Sequence, residues 1–67
     1  MKQKSSSATS PIALRRCELG LTQSELGRLV GVSYQTVSLW ESQRRLPHRR
    51  NIMRLADALR CSPRDLV

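Results

Sequence analysis

Glutamine 35 stands among hydroxyl side chains, Ser33, Tyr34, Thr36 and Ser38, and four arginines follow in the segment Arg44-Arg45-Leu46-Pro47-His48-Arg49-Arg50. These groups form hydrogen bonds and neutralise charge. A glutamine amide can pair bidentately with adenine N6 and N7, hydroxyls bond either a base edge or a phosphate, and arginine grips phosphate oxygens. Gln35 is therefore the leading candidate to read a base, with Ser33, Tyr34, Thr36 and Ser38 around it and their division between base and phosphate open. Arg44, Arg45, Arg49 and Arg50 are candidate phosphate contacts, contributing affinity and salt dependence more than sequence choice. Bond-breaking chemistry has no support. There is no nucleophile paired with a base, no metal-ligand set and no phosphate-cradling loop, and His48 beside Pro47 has no catalytic partner. No cofactor and no small-molecule ligand is indicated.

Two helices and a tight turn would present these groups together. Leu26 and Val30 share a face if a helix runs from Thr22 to about Val30, with Leu29 just beside it. A second helix starting after Ser33 puts Val37 and Trp40 on one face, so that two apolar stripes close around Val32. Gly27 lies mid-helix, where a small residue permits close approach, and Gly31 lies where the chain must stop and turn left-handed. This is the spacing of a helix-turn-helix. Leu39 falls outside the Val37 and Trp40 stripe, so it either meets a thymine methyl or packs at the domain edge. Trp40 reads as core.

A chain of 67 residues makes one small domain, too small for an enzyme-sized cleft. Twelve Lys and Arg against five Asp and Glu give a net charge of +7, which favours a polyanionic partner. A membrane-surface helix would spread its bases opposite one continuous apolar face, whereas here they gather around Pro47. No stretch suits a spanning helix or a signal peptide, so a cytoplasmic, nucleoid-associated location is expected. Cys17 and Cys61, far apart and without a CxxC, are expected to be small core hydrophobes.

Residues 1–9 are polar, rich in Ser and Lys, and expected to form a disordered arm, either inert or touching phosphates through Lys2 and Lys4. Ser10-Pro11 opens helix one, with apolar positions Ile12, Leu14, Cys17 and Leu19 up to Gly20. Thr22 with Glu25 is a capping box, and Leu21 with Leu26 a hydrophobic staple, opening helix two. Ser33 caps helix three. Ile52, Leu55, Ala56 and Leu59 recur at helical spacing from about Arg49, giving helix four. Ser62, Pro63 and Asp65, with a Cys61 to Leu66 staple, repeat the start signals and predict a short fifth helix.

Arg16 four residues before Gly20, Gly20-Leu21-Thr22-Gln23 with Glu25-Leu26, Gly31-Val32-Ser33, Val37-Ser38-Leu39-Trp40-Glu41-Ser42, and Leu55-Ala56-Asp57-Ala58-Leu59 before Ser62-Pro63 are specific in combination. On these residues the chain, from 11 to 67, resembles the lambda-repressor and Cro family of helix-turn-helix proteins, also called the XRE family. The resemblance implies an all-α, compact five-helix domain over residues 10–67, with helices two and three forming the helix-turn-helix. It implies that helix three enters the major groove, that helix two lies across the backbone, and that a homodimer binds a palindromic operator in double-stranded DNA. Family members often pair between helix four and the C-terminus, where this chain has Leu66 and Val67. Gln23 matches the position that bonds a phosphate and braces helix three, and Arg16 with Glu41 matches a pair joining helix one to the end of helix three. Two positions depart from the pattern: Gln43 stands where glycine is common, and Arg60 where glycine or asparagine is. The function implied is a bacterial or phage sequence-specific transcriptional regulator that occupies an operator and blocks, or occasionally recruits, polymerase. The alternatives are a helix-turn-helix used for protein contact or non-specific DNA binding, and the DNA-reading part of a longer regulator.

Overall fold

Three helices start where a small hydroxyl residue takes up an amide that the first turn leaves without a partner. In a computed structural model, which describes residues 10–66, Ser10 Oγ accepts from the Ala13 N–H at 3.1 Å, Thr22 Oγ1 from Glu25 at 3.0 Å and Ser33 Oγ from Thr36 at 3.3 Å. These caps open α1 (Pro11–Glu18), α2 (Gln23–Val30) and α3 (Tyr34–Glu41). The predicted capping box is complete, the Thr22 N–H donating back to Glu25 Oε1 at 2.8 Å. Helix α4 (Arg49–Leu59) follows His48, which makes no side-chain cap bond. The expected arm, with Lys2 and Lys4, and Val67 lie outside the described residues.

All four helices end in one way. The amide of the residue after a left-handed position bonds the carbonyl five residues back: Leu21 to Arg16 at 3.1 Å, Val32 to Gly27 at 2.8 Å, Arg44 to Leu39 at 3.0 Å and Cys61 to Ala56 at 3.0 Å. This is the Schellman closure. The left-handed residues are Gly20, Gly31, Gln43 and Arg60, with φ of 72°, 88°, 63° and 58°. Gln43 and Arg60 thus keep the backbone that glycine would adopt freely, at a cost of roughly 1–2 kcal/mol each.

The core is drawn from every element. Ile12 of α1, Leu26 and Val30 of α2, Val37 and Trp40 of α3, Leu55, Ala56 and Leu59 of α4, and Leu66 are buried, with Leu21, Val32, Ala58 and Cys61 packed against them. Helix α1 differs from its predicted facing. Leu14, Leu19 and Cys17 are exposed, because the inward face at i, i+3 and i+4 is Ile12, Arg15 and Arg16. Those two guanidiniums find buried-side acceptors, and the apolar residues opposite are turned out. Leu29 is also exposed, and Cys61 is half-buried.

The five-helix expectation for residues 10–67 is corrected, among the described residues, to four α-helices and one 3-10 turn, Pro63–Leu66. Of the start signals around Ser62 the returning half of the box forms, the Ser62 N–H donating to Asp65 Oδ2 at 3.0 Å, but the Asp65 N–H bonds the Ser62 carbonyl rather than its hydroxyl. They set where a turn opens. Propagation into an α-helix needs further residues each adding a bond, and the turn closes instead on an Asp65 N–H to Ser62 carbonyl contact of 2.9 Å.

Candidate nucleic-acid interface

A carbonyl oxygen decides how closely α2 and α3 can be joined. A Cβ at Gly27 would stand 2.6 Å from the Val32 carbonyl oxygen and 3.2 Å from the Ser33 carbonyl carbon. The absence of a side chain lets the turn fold back over α2, and Gly27's own carbonyl accepts from both the Gly31 and Val32 amides, at 2.7 and 2.8 Å. The turn delivers Ser33 to cap α3.

At 100° per residue, Gln35, Ser38, Leu39 and Ser42 fall on one face of α3, opposite the buried Val37, Trp40 and Glu41. Gln35 and Ser38 are exposed, Leu39 and Thr36 half-buried, and Tyr34 is 54% exposed at the first turn. Ser33 is exposed, but its oxygen serves as the cap and lies 3.4 Å from Thr36 Oγ1. The structure therefore brings Gln35, Ser38 and Leu39 to one face of a single short helix, with Tyr34 and Thr36 on its flanks and Ser33 at its cap.

The orientation of that helix is set from below. Arg16 forks onto the buried Glu41, Nε to Oε2 at 2.5 Å and Nη2 to Oε1 at 3.1 Å, while Nη1 donates to the Leu21 carbonyl at 2.7 Å. Gln23 Nε2 donates to Glu41 Oε1 at 2.9 Å. Four charge-assisted bonds thus tie α1, the α1–α2 turn, the start of α2 and the end of α3. The Glu41 hydrogen bond holds the Arg16 pKa above its usual value, outweighing desolvation, so the guanidinium stays charged. Gln23 braces the network with one amide hydrogen, and its other makes no hydrogen bond among the described residues.

Arg44, Arg45, Arg49 and Arg50 are all exposed. His48, Arg49, Arg50, Asn51 and Arg54 line one shallow depression at the start of α4, and no acidic residue lies between Glu41 and Asp57. Here α4 also presents its uncapped amides, the positive end of the helix dipole. Sequence reasoning overlooked Arg15, whose Nε and Nη2 donate to the Leu59 and Arg60 carbonyls at 2.9 and 3.1 Å and tie α1 to the exit of α4. Its position three residues after Ile12, on the inward face, was the available signal. Ser42 lies at i+7 from Gln35 on the same face of α3, and Arg54 joins the depression at the start of α4. Among the described residues no group of three His, Cys, Asp or Glu could hold a metal, and no helix is long and apolar enough to cross a membrane.

A short turn between two helices, the second with a buried apolar face and an exposed polar one, supported by a buried arginine and glutamate, defines a helix-turn-helix domain. The chain belongs to the helix-turn-helix family, of the lambda-repressor and Cro (XRE) type, and the family profile matches residues 12–66. It is 42% identical over 56 residues to repressor protein C2 of Salmonella phage P22, an alignment covering 84% of this chain and 26% of that protein. The chain thus spans about a quarter of the length of this relative. Its structure superposes on the P22 c2 repressor in complex with a synthetic operator with a TM-score of 0.81, at 41% identity, covering 84% of this chain and 85% of that one. The restriction-modification controller protein C.AhdI of Aeromonas hydrophila gives a TM-score of 0.80 at 33% identity, covering 85% and 86%.

Proposed function

We propose that this chain is a sequence-specific, double-stranded DNA-binding transcriptional regulator acting as a repressor, without enzymatic activity or cofactor, in the cytoplasm at the nucleoid. The observation that carries the reading is the exposed polar ridge of α3, fixed from beneath by Arg16, Gln23 and Glu41 in a domain that superposes on an operator-bound repressor. Gln35 reads a base in the major groove, with Ser33, Tyr34, Thr36, Ser38 and Leu39 at neighbouring base edges or thymine methyls. Gln23 gives its free amide hydrogen to a phosphate at the start of α2, and Arg44, Arg45, Arg49 and Arg50 grip phosphates beside the groove.

A palindromic operator requires a second copy. One open, mainly apolar groove, of about 710 Å³, is lined by Leu46, Pro47, Ile52, Met53, Pro63 and Leu66 with Arg49 and Arg64 at it, and Leu46 is 80% exposed. A second copy seated on this groove is the pairing that the reading requires. Selection from a random duplex library tests the function. A palindromic motif with half-sites about one helical turn apart, lost on Gln35→Ala, supports it. Salt-sensitive binding with no enriched sequence would sink it. Met53→Ser should then remove the advantage of the full palindrome over an isolated half-site while leaving half-site affinity in place.

A further inference from the structure

The same helix exit is built four times, and at two of them the left-handed residue is glycine. At the end of α3 it is Gln43, held at a φ of 63° against the steric preference of any residue with a Cβ. We propose that Gln43 is a further DNA contact, its side-chain amide donating to a phosphate oxygen at the edge of the groove that α3 enters. The inference rests on the DNA-binding reading above.

Three observations support it. The backbone donors of this exit are already used, the Gln43 N–H by the Trp40 carbonyl at 3.1 Å and the Arg44 N–H by the Leu39 carbonyl at 3.0 Å, and the Ser42 hydroxyl donates to that same Leu39 carbonyl at 3.2 Å. Gln43 is exposed, and its side chain makes no hydrogen bond among the described residues, so nothing in the fold explains keeping it. Its position also fits the dimensions of a duplex. Eight residues separate it from Gln35, which at the helical rise is about 12 Å. The major groove is about 12 Å wide, so a helix whose first turn meets base edges brings its exit to the bordering strand. Gln43 stands just past the end of α3, next to Ser42, and leads directly into Arg44 and Arg45.

A neutral amide releases no counterion, which separates Gln43 from the arginines beside it. Gln43→Gly and Gln43→Ala are compared with the parent chain by thermal unfolding and by binding to the duplex that the parent selects from a random library, across a salt series. The glycine variant is expected to raise Tm by about 5 °C, and the alanine variant to leave it nearly unchanged because the left-handed Cβ remains. Both should bind about tenfold more weakly, equally on the selected and on an unrelated duplex, with the slope of log K against log salt unchanged. Glycine and alanine variants that bind like the parent overturn the proposal, as does a loss confined to the selected duplex, which would mean a base contact. If the parent itself enriches no sequence, the functional reading falls first, a result distinguishable from either.

Discussion

Helix propensity and turn geometry make opposite predictions for Gly27→Ala, and the magnitudes favour geometry. Glycine inside a helix is about 1 kcal/mol worse than alanine, so propensity alone makes the substitution stabilising. The new Cβ would meet the Val32 carbonyl oxygen at 2.6 Å, where ordinary contact begins at 3.4 Å, so the turn must retreat by 3.4 − 2.6 = 0.8 Å. The Val32 N–H bond to the Gly27 carbonyl spans 2.8 Å, and the same displacement along it gives 2.8 + 0.8 = 3.6 Å, beyond hydrogen-bonding reach. Loss of that bond costs about 1 kcal/mol, and overpacking against backbone about 1–3. Setting the propensity gain against these leaves a net loss of roughly 1–3 kcal/mol, a large part of the stability of so small a domain. Thermal unfolding followed by far-ultraviolet circular dichroism should show Tm lower by about 10 °C. An alanine variant as stable as the parent would refute the argument that the turn is closed over a missing side chain.

Arg16→Ala leaves Glu41 buried with only Gln23 as partner and should cost about 3 kcal/mol in urea unfolding, whereas Arg16→Met with Glu41→Leu should cost far less. Glu25 is held below the usual carboxylate range, chiefly by the Thr22 N–H, then by the Thr22 hydroxyl and the charge of Arg28. Its folded pKa is depressed, so its stabilisation is present above the unfolded value of about 4.3 and is lost as pH falls through the folded value. Glu25→Gln should therefore lower Tm at pH 7 and converge on the parent in acid; a gap of constant size across pH would contradict this. Alanine at Arg44, Arg45, Arg49 or Arg50, taken singly, should reduce the salt slope of binding to the selected duplex by about 0.9 each, and an unchanged slope would remove that arginine from the phosphate contacts.

What could be read from the sequence were the features that act locally. The caps at Ser10, Thr22 and Ser33 depend on a hydroxyl placed three residues before an amide, and all three are in place. The α2–α3 unit was readable because Gly27, Gly31 and the Leu26, Val30, Val37 and Trp40 stripes constrain one another. Helix α1 was misread because hydrophobic periodicity assumes an apolar inward face, while here Arg15 and Arg16 point inward to carbonyls and a carboxylate contributed by distant segments. No local signal announces a partner 44 residues away, as Leu59 is from Arg15. The fifth helix failed for another reason, since start signals carry no information on how far a helix extends.

The residues that hold the fold and those assigned to DNA divide into two groups with opposite energetics. Leu26, Val37, Leu55 and Leu59 are fully buried, and Arg16, Gln23 and Glu41 satisfy one another. The side proposed to face DNA is built against stability. Gln43 is forced left-handed, and Arg49 and Arg50 sit at the positive end of α4, where a basic residue is unfavourable by about 0.3–1 kcal/mol and acidic residues would help. No carboxylate between Glu41 and Asp57 offsets the arginines. The electrostatic penalties change sign beside a row of phosphates, whereas the steric cost at Gln43 remains and is offset by the proposed contact of its amide. Arg60 carries the same left-handed strain at the exit of α4, so the uncompensated basic charge of the loop and of the start of α4, rather than backbone strain, is what sets the proposed DNA side apart.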